Sequence, residues 1–271
     1  MEQKVTQSAA RFLPWITAVL LLVILAVFIA ATPSGVLAKA DMIGYAVCHQ
    51  ITSHSFTFGG RPLPLCARCT GTFLGALTGL LGQTVILRRE RAADFPPYAV
   101  LALLISFSAV WAADGLNSYL ALMGAPYAYE PMNTIRLLTG ALNGLTMSAL
   151  IVPVVNVSLW KRPADAPNIR GPRDLIVLLL MQAGLIGLVL SGWDILLYPL
   201  ALLSAVAVLA LLTSVNTVLA VILTGRENRV DTWQGALVPF AVGFLLSIIE
   251  IGLIDLLRFQ LTGTLGGLPL P

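Results

Sequence analysis

Apolar residues run along this chain in seven long blocks that are separated by short polar segments. Each block holds about 16 to 25 residues, and a helix of about 20 apolar residues crosses the hydrocarbon core of a bilayer. The blocks lack the residue-by-residue alternation of a β-barrel strand. We therefore predict an all-α, polytopic transmembrane bundle of about seven spans (six to eight), forming a single integral membrane domain over residues 1–271. The predicted spans are 12–31, 70–87, 97–116, 135–155, 175–190, 199–223 and 236–258.

Composition agrees with a membrane location. Hydrophobic residues make up 58% of the chain and charged residues 11%, whereas a soluble domain carries about 25% charged residues. The mean hydropathy of +0.89 predicts a surface that lipid accepts and water does not. The expected partner is therefore the lipid bilayer. A small excess of 16 basic over 13 acidic residues, with no basic stripe interleaved with aromatics, argues against a nucleic-acid partner.

The charges of the loops predict an orientation. Three loops are rich in Lys and Arg, whereas the loops 117–134 and 191–198 contain neither. The positive-inside rule makes the basic loops cytoplasmic, so we expect a cytoplasmic N-terminus, an extracytoplasmic C-terminus and a multi-pass protein of a prokaryotic plasma (inner) membrane. The loop 32–69 then faces outward, although it carries Lys39, Arg61 and Arg68. The basic residues of the three cytoplasmic loops are Arg88, Arg89, Arg91, Lys161, Arg162, Arg170, Arg173, Arg226 and Arg229.

The first span also resembles a secretory signal peptide, because basic residues precede it and the small-residue stretch Val36-Leu37-Ala38 follows it. Its apolar run is longer than a typical signal core, so we expect a retained anchor. Cleavage would leave six spans with the same sidedness.

All three cysteines and both histidines of the chain fall within residues 48–69. Cys48, Cys66 and Cys69 with one histidine have the composition of a Cys₃His zinc site, which makes zinc the candidate cofactor. His49 is adjacent to Cys48, so sharing one ion strains the backbone, and His54 reaches more easily.

Two other interpretations of the cysteines stay open. Cys66 and Cys69 form a Cys-x-x-Cys pair at the start of a predicted helix, where the helix dipole stabilises a thiolate, and Cys48 is then placed to resolve a mixed disulfide. Alternatively, Cys48 forms a disulfide with one of the other two and staples the external loop. The odd number of cysteines counts against a simple staple.

A second polar cluster is expected on the same side of the membrane. The third span ends with Asp114 in its last turn and is followed by Asn117, and the fourth is preceded by Glu130 and Asn133. Arg136 lies about one turn inside the membrane and needs a carboxylate or a water-filled pocket, with Asp114 and Glu130 as the obvious partners. The candidate substrate-binding residues are Asn117, Glu130, Asn133 and Arg136. Structural pairing of Asp114 with Arg136 is an equally good interpretation.

Glu250 is the most deeply placed acid in the predicted spans, so it joins Asp114 and Arg136 as a candidate catalytic residue. Asp255 and Arg258 are expected to form a structural ion pair. Small residues repeat every four positions in the second and fourth spans, which predicts close packing of these two helices. They are Gly71, Gly75 and Gly79 in the second span, and Gly140 and Gly144 in the fourth.

Two blocks of residues between positions 40 and 150 carry motifs of a known family. The first block is Cys48-His49-Gln50, Ser55-Phe56, Pro64-Leu65-Cys66-Ala67-Arg68-Cys69-Thr70-Gly71 and Gly75. The second block is Asp114-Gly115, Asn133, Arg136, Thr139-Gly140 and Gly144. Together they resemble the membrane proteins called domain of unknown function 2085. The resemblance implies an integral membrane protein and favours His49 over His54 as the metal or redox residue beside the cysteines.

The leading functional hypothesis is an extracytoplasmic metal or thiol site, formed by Cys48, His49, Cys66 and Cys69, that acts on a lipid-soluble or lipid-linked molecule. A thiol–quinone oxidoreductase is its redox form. A transporter or channel that uses Arg136 and Glu250 is an alternative, although the halves of the chain show no inverted repeat. An accessory or assembly subunit, docking through the cysteine loop, is a further alternative.

Overall fold

The computed structural model describes residues 2–267, with side chains from Pro14 onward. Lys4 and Arg11, the basic residues before the first predicted span, and Phe12 at its start are therefore described by their backbone alone. Within this part of the chain the fold is a bundle of eight α-helices with four short strands. The helices are α1 (Glu2–Ala31), α2 (Val36–Val47), α3 (Ala67–Leu81), α4 (Tyr98–Leu122), α5 (Asn133–Leu159), α6 (Pro172–Leu190), α7 (Leu197–Leu223) and α8 (Trp233–Thr262). The strands are β1 (Thr57–Phe58), β2 (Arg61–Pro62), β3 (Ala92–Asp94) and β4 (Ala164–Pro167).

The predicted seven-span bundle is confirmed. Seven of the helices in the described chain, all except α2, are long and apolar enough to cross a membrane. A π-helical turn extends α3 to Ile86, and a short 3₁₀ turn, Asp194–Leu196, joins α6 to α7. The helix α2, which has 12 residues and a length of about 18 Å, was not predicted from the sequence. It folds the supposed loop 32–69 onto the bundle, where α2 packs against α7 and α8.

The glycine repeats bring α3 and α5 into backbone contact. A Cβ atom at Gly71 would collide with the carbonyl oxygen of Leu137, and one at Gly144 would collide with the carbonyl oxygen of Thr72. Such close approach needs glycine on both faces. The predicted packing of the second and fourth spans is therefore confirmed, and it places the first turn of α3 beside the first turns of α5.

One end of the bundle gathers the cysteine segment and three other connections, and we call it the cysteine end. The β1–β2 hairpin reaches the α6–α7 turn, where the Gly59 backbone N–H donates to Asp194 Oδ1 at 2.5 Å. The Tyr45 hydroxyl of α2 donates to the Thr264 carbonyl oxygen after α8, at 2.6 Å. Asn133 Nδ2 at the start of α5 donates to the Ser53 carbonyl oxygen at 3.1 Å.

The opposite end carries the three arginine-rich loops, and we call it the basic end. Two of these loops pair through the parallel strands β3 and β4. The third joins them where the Lys161 backbone N–H donates to the Val230 carbonyl oxygen at 2.9 Å. The basic loops and the cysteine segment thus lie at opposite ends of the bundle.

Candidate functional site

The three cysteines meet at the cysteine end. Cys48 ends α2, Cys66 precedes α3, and Cys69 lies in the first turn of α3. Their three Sγ atoms lie within 4.8 Å of one another. Cys48 and Cys66 are buried, Cys69 is half-buried, and all three are free thiols. The fold thus gathers residues that are up to 21 positions apart in the sequence into one thiol cluster.

Backbone N–H groups and the other thiols stabilise negative charge in this cluster. The N–H groups of Cys66 and Gln50 point at Cys48 Sγ, at 3.2 and 3.4 Å respectively. The thiols of Cys48 and then Cys69 hydrogen-bond to Cys66 and, with His49, hold the pKa of Cys66 well below its usual range. The same contact with Cys66 raises the pKa of Cys48 to about 12. Negative charge therefore settles first on Cys66, at the N-terminus of α3.

The two histidines lie beside the thiols without joining their cluster. Within the described residues, the three cysteines are the only group of three or more His, Cys, Asp or Glu side chains whose ligand atoms all lie within 4.8 Å of one another. His49 Nδ1 accepts the Ile51 backbone N–H at 3.0 Å, so the neutral ring carries its proton on Nε2. His49 also hydrogen-bonds to Cys66, and its ring stacks edge-on against His54 at 5.5 Å between centroids. Burial, and then the charge of Arg136, lower the pKa of His54 to about 4.

Asp114 is the centre of the second polar cluster. Its Oδ2 accepts from Arg68 Nη2 at 2.5 Å, and its Oδ1 accepts from the Tyr129 hydroxyl at 2.7 Å. Arg68 also donates to the Asp114 carbonyl oxygen and, at 2.8 Å, to Ser118 Oγ. The carboxylate is almost fully enclosed, with 1% of its side chain exposed. This buried ion pair connects α3 to α4 directly above the glycine contact of α3 and α5.

The prediction that Asp114 or Glu130 pairs with Arg136 is wrong. Arg68, which follows Cys66 by two residues, reaches Asp114 from the facing helix and occupies it. No carboxylate of the described residues lies within salt-bridge distance of Arg136. Its Nη1 donates to Asn133 Oδ1 at 2.8 Å and its Nε to Ser118 Oγ at 3.4 Å. Arg136 instead lines a cleft, which is the second environment that the sequence allowed for it.

The other three candidate substrate-binding residues each make hydrogen bonds within the protein. The Asn117 side chain bonds to the backbone of Ala128 and Tyr129 and so shapes the α4–α5 loop. Glu130 is exposed and accepts the Tyr127 hydroxyl at 2.9 Å. Asn133 orients Arg136 and ties α5 to the cysteine segment through Ser53.

Glu250 lies apart from these residues. It is half-buried between α7 and α8, where its Oε2 accepts from Asn216 Nδ2 at 2.9 Å. Asn216 also donates to Ser247 Oγ at 3.0 Å. The helix α8 packs on α7, α1 and α2, so the structure does not bring Glu250 to the cluster around Asp114.

The expected ion pair of Asp255 with Arg258 is also wrong. Arg258 Nη1 donates to the carbonyl oxygens of Tyr45 and, at 2.6 Å, Cys48, and its guanidinium stacks on the Tyr45 ring. No described side chain or backbone group donates to Asp255 Oδ1. Arg258 therefore fixes the end of α2, and with it the backbone of Cys48.

Sequence reasoning missed Arg68, Ser118 and Tyr129 as members of the site. Arg68 lies between two cysteines of the motif, and its charge was counted only toward the orientation of the loop. Its position was a signal, since an arginine at a membrane helix end needs a buried acid within reach. Tyr129 and Ser118 carried no such signal.

Comparisons with known proteins agree with these motifs. The family model of predicted membrane proteins called domain of unknown function 2085 matches residues 48–150, which hold the thiols, Asp114 and Arg136. An uncharacterized protein of Methanothermobacter thermautotrophicus is 32% identical over 104 residues, covering 38% of this chain and 83% of that protein. An uncharacterized protein of Methanocaldococcus jannaschii is 28% identical over 120 residues, 43% of this chain and 68% of that protein. No solved structure matches. The chain belongs to the membrane-protein family called domain of unknown function 2085.

Proposed function

We propose that this protein holds a zinc ion in the thiolates of Cys48, Cys66 and Cys69 and acts there on a lipid-soluble or lipid-linked molecule. The meeting of the three sulfur atoms within 4.8 Å carries this proposal. Zn–S bonds of about 2.3 Å in a tetrahedral site separate two sulfurs by about 3.8 Å. Three sulfurs that all lie within 4.8 Å of one another are close enough to converge on one metal ion, whereas a disulfide uses only two sulfurs.

The surroundings of the sulfurs support thiolate ligands. The N–H groups that point at Cys48 Sγ, and the N-terminus of α3 beside Cys66 and Cys69, favour negative sulfur. The contact with Cys66 keeps Cys48 protonated in the absence of a metal, and the thiol would lose that proton on coordinating a cation. Thiolates are soft ligands that prefer zinc to magnesium or calcium. Zinc bound here would supply a Lewis acid, while the chain's own residues position the sulfurs and limit the access of water.

The fourth coordination position decides between a structural and a catalytic zinc site. His49 is the remaining donor of the motif, but its Nδ1 already accepts the Ile51 N–H and its other side faces Cys66. Three protein ligands with one open position are typical of catalytic zinc. The proposed arrangement therefore leaves the fourth position to water or substrate, with His49 as a hydrogen-bond donor beside it.

The proposed sidedness follows from the two ends of the bundle. The basic end collects the Lys- and Arg-rich loops and is cytoplasmic by the positive-inside rule. The thiol cluster at the opposite end then faces the extracytoplasmic side of the prokaryotic plasma membrane. A substrate would approach from the outer leaflet or from outside the cell.

Cobalt substitution tests the proposal. Protein produced in zinc-poor, cobalt-containing medium should show a thiolate-to-cobalt charge-transfer band, whose intensity scales with the number of thiolate ligands. Cys48→Ser, Cys66→Ser and Cys69→Ser should each lose about one third of the band or all of it. His54→Gln is the control and should keep the band. An unchanged band in any one of the serine variants would exclude that cysteine as a ligand.

His49→Gln separates the two kinds of zinc site. With an open fourth position this variant keeps one metal ion per chain and its charge-transfer band. If His49 is the fourth ligand, the affinity should fall and the cobalt ligand-field bands should change. A protein that binds no cobalt and carries a reducible disulfide would favour the thiol–quinone oxidoreductase instead.

A further inference from the structure

Arg136 is a buried guanidinium whose hydrogen bonds are incomplete. The residue is 5% exposed, and a guanidinium carries five N–H donors. Its Nη1 and Nε contact the neutral oxygens of Asn133 and Ser118, and no residue of the described chain accepts a hydrogen bond from Nη2. The nearby carboxylate of Asp114 is taken by Arg68, Tyr129 and Thr139. A buried cation with free donors is costly unless an anion or water completes its hydrogen bonds.

The helix that carries Arg136 adds a second positive feature. The 27-residue α5 begins at Asn133, its first turn holds no acidic residue, and Met132 at its N-cap makes no side-chain cap. The first backbone N–H groups of such a helix lack partners within the helix and carry part of the helix dipole. Oxyanions, phosphate in particular, bind at uncapped helix N-termini. The guanidinium of Arg136 and the first backbone N–H groups of α5 thus provide hydrogen-bond donors in the same region.

This region is a cleft that opens at the cysteine end. It has a volume of about 330 Å³, room for on the order of ten water molecules at ~30 Å³ each. Ser53, His54, Ser118, Glu130, Asn133 and Arg136 are its polar lining residues. Such a cleft has room for a phosphate group with further atoms attached.

Glu130 is the one lining group that opposes an anion. It is exposed at the rim and already accepts the Tyr127 hydroxyl. Water screens an exposed carboxylate much more than it screens a buried guanidinium. Glu130 therefore weakens anion binding without preventing it.

We propose that the cleft formed by Arg136 and the N-terminus of α5 binds a phosphate group, carried either by the head group of a lipid or by a free phosphate. This deepens the proposed function by naming the anionic part of its substrate. Phosphate binding itself is independent of the zinc proposal, and only a reaction of the bound molecule at the thiol cluster rests on that function. The cleft lies at the same end of the bundle as the thiols, since its lining residue His54 stacks edge-on against His49, which follows Cys48 in the sequence. A phosphate held there would lie at the same end of the bundle as the proposed metal.

Native mass spectrometry in a phosphate-free maltoside detergent tests the binding. The probes are inorganic phosphate, phosphatidic acid, and diacylglycerol as the ligand that keeps the chains and lacks the phosphate. We expect one phosphatidic acid molecule to remain bound to the wild-type protein after the detergent is removed. We expect no bound diacylglycerol. Tight binding of inorganic phosphate as well would identify a free phosphate as the ligand. If neither phosphate probe binds, the proposal is overturned.

Arg136→Gln is the decisive variant, and Arg61→Gln is its matched control. Arg61 lies at the same end and carries the same charge, but it pairs with Asp41 at the surface. Loss of charge-assisted hydrogen bonds should weaken phosphate binding about 10- to 100-fold in Arg136→Gln, and Arg61→Gln should bind as wild type. Equal binding by the two variants would contradict the proposal.

Three further measurements separate a binding role from a structural one. Arg136→Lys should bind with intermediate affinity, and Glu130→Gln should bind more tightly than wild type. Phosphatidic acid should raise the unfolding temperature of wild type and not of Arg136→Gln. If Arg136→Gln fails to fold, Glu130→Gln decides, because unchanged or weaker binding by that variant overturns the proposal.

The same spectra keep this inference distinct from the zinc proposal. Arg136→Gln should lose the phosphate ligand and keep the metal. The Cys66→Ser/Cys69→Ser variant should lose the metal and keep the phosphate ligand. If one of these two results is not obtained, only the corresponding proposal is contradicted, and the other proposal is unaffected.

Discussion

Two polar clusters interrupt the apolar bundle, and they differ in how many elements they join. The cluster around Asp114 connects α3, α4 and α5 through an ion pair, and through Asn133 it reaches the cysteine segment. The cluster around Glu250 connects only α7 and α8, through one amide and one hydroxyl. The first fixes the relative positions of the thiols, Arg68 and Arg136, whereas the second fastens two helices. A shared path through Arg136 and Glu250 has no support in this arrangement.

The largest effect is expected when Asp114 is changed to Asn. The change leaves the guanidinium of Arg68, only 17% of whose side chain is exposed, without its carboxylate, and breaking a largely buried ion pair costs about 3–5 kcal/mol of unfolding free energy. Asp41→Asn is the control, because the Asp41–Arg61 pair is partly exposed and its loss should cost less than about 1 kcal/mol. Reversible unfolding in mixed micelles measures both. Similar losses in the two variants would show that the Asp114 cluster is no more structural than a surface pair.

Gly144→Val should have the next largest effect. The valine side chain would meet the backbone of α3 at Thr72 and Ala76, so α3 and α5 must separate, at a cost of about 3 kcal/mol. Gly184→Val in α6 is the matched control, because nothing lies within 4 Å of a Cβ atom at that position. The same unfolding assay applies. If both valine variants unfold alike, close packing of α3 and α5 does not set the geometry of the cysteine end.

Glu250→Gln should change stability by about 1 kcal/mol or less, because the glutamine carbonyl still accepts the Asn216 amide. Proton-dependent uptake in proteoliposomes that this variant abolishes would give Glu250 a functional role and support a transporter. Asn216→Ala is the control that removes the same hydrogen bond and keeps the carboxylate.

The smallest effect concerns pH. The pKa of His54 is about 4 in the folded protein, against 6.5 for an unperturbed histidine, so between these values the unfolded chain binds more protons. Stability should therefore fall as the pH decreases from about 6.5 toward 4. His54→Gln should flatten this part of the pH–stability curve, because it removes the imidazole that titrates there. The surrounding groups His49, Arg68, Arg136 and Cys66 are retained in this variant. An equally steep curve in the variant would assign the pH dependence to another group.

The seven spans were predictable because lipid makes length and hydropathy decisive for each helix. The short helix α2 was not predictable in this way. Its 12 residues of mixed polarity are too few to cross a bilayer, and a loop between two spans can have the same length and composition. The pairing of the glycine faces was predictable, because only small residues allow backbones to touch in lipid.

The candidate site was predictable by composition but not by partner. The cysteines met as their spacing indicated, and Arg136 reached a cleft. The choice of Arg68 rather than Arg136 as the partner of Asp114 depends on which side chain crosses the α3–α4 interface, and spacing along one helix does not contain that information. Arg258 shows the same effect, because its partners lie in α2.

Metal content per chain, measured together with free thiols on untagged protein purified in detergent, tests the central claim most directly. We expect about one zinc ion per chain, lost in the Cys66→Ser/Cys69→Ser variant, and thiols that react only after a chelator removes the metal. No metal and one reactive thiol per chain would mean that two of the cysteines form a disulfide, and would contradict the thiolate zinc site.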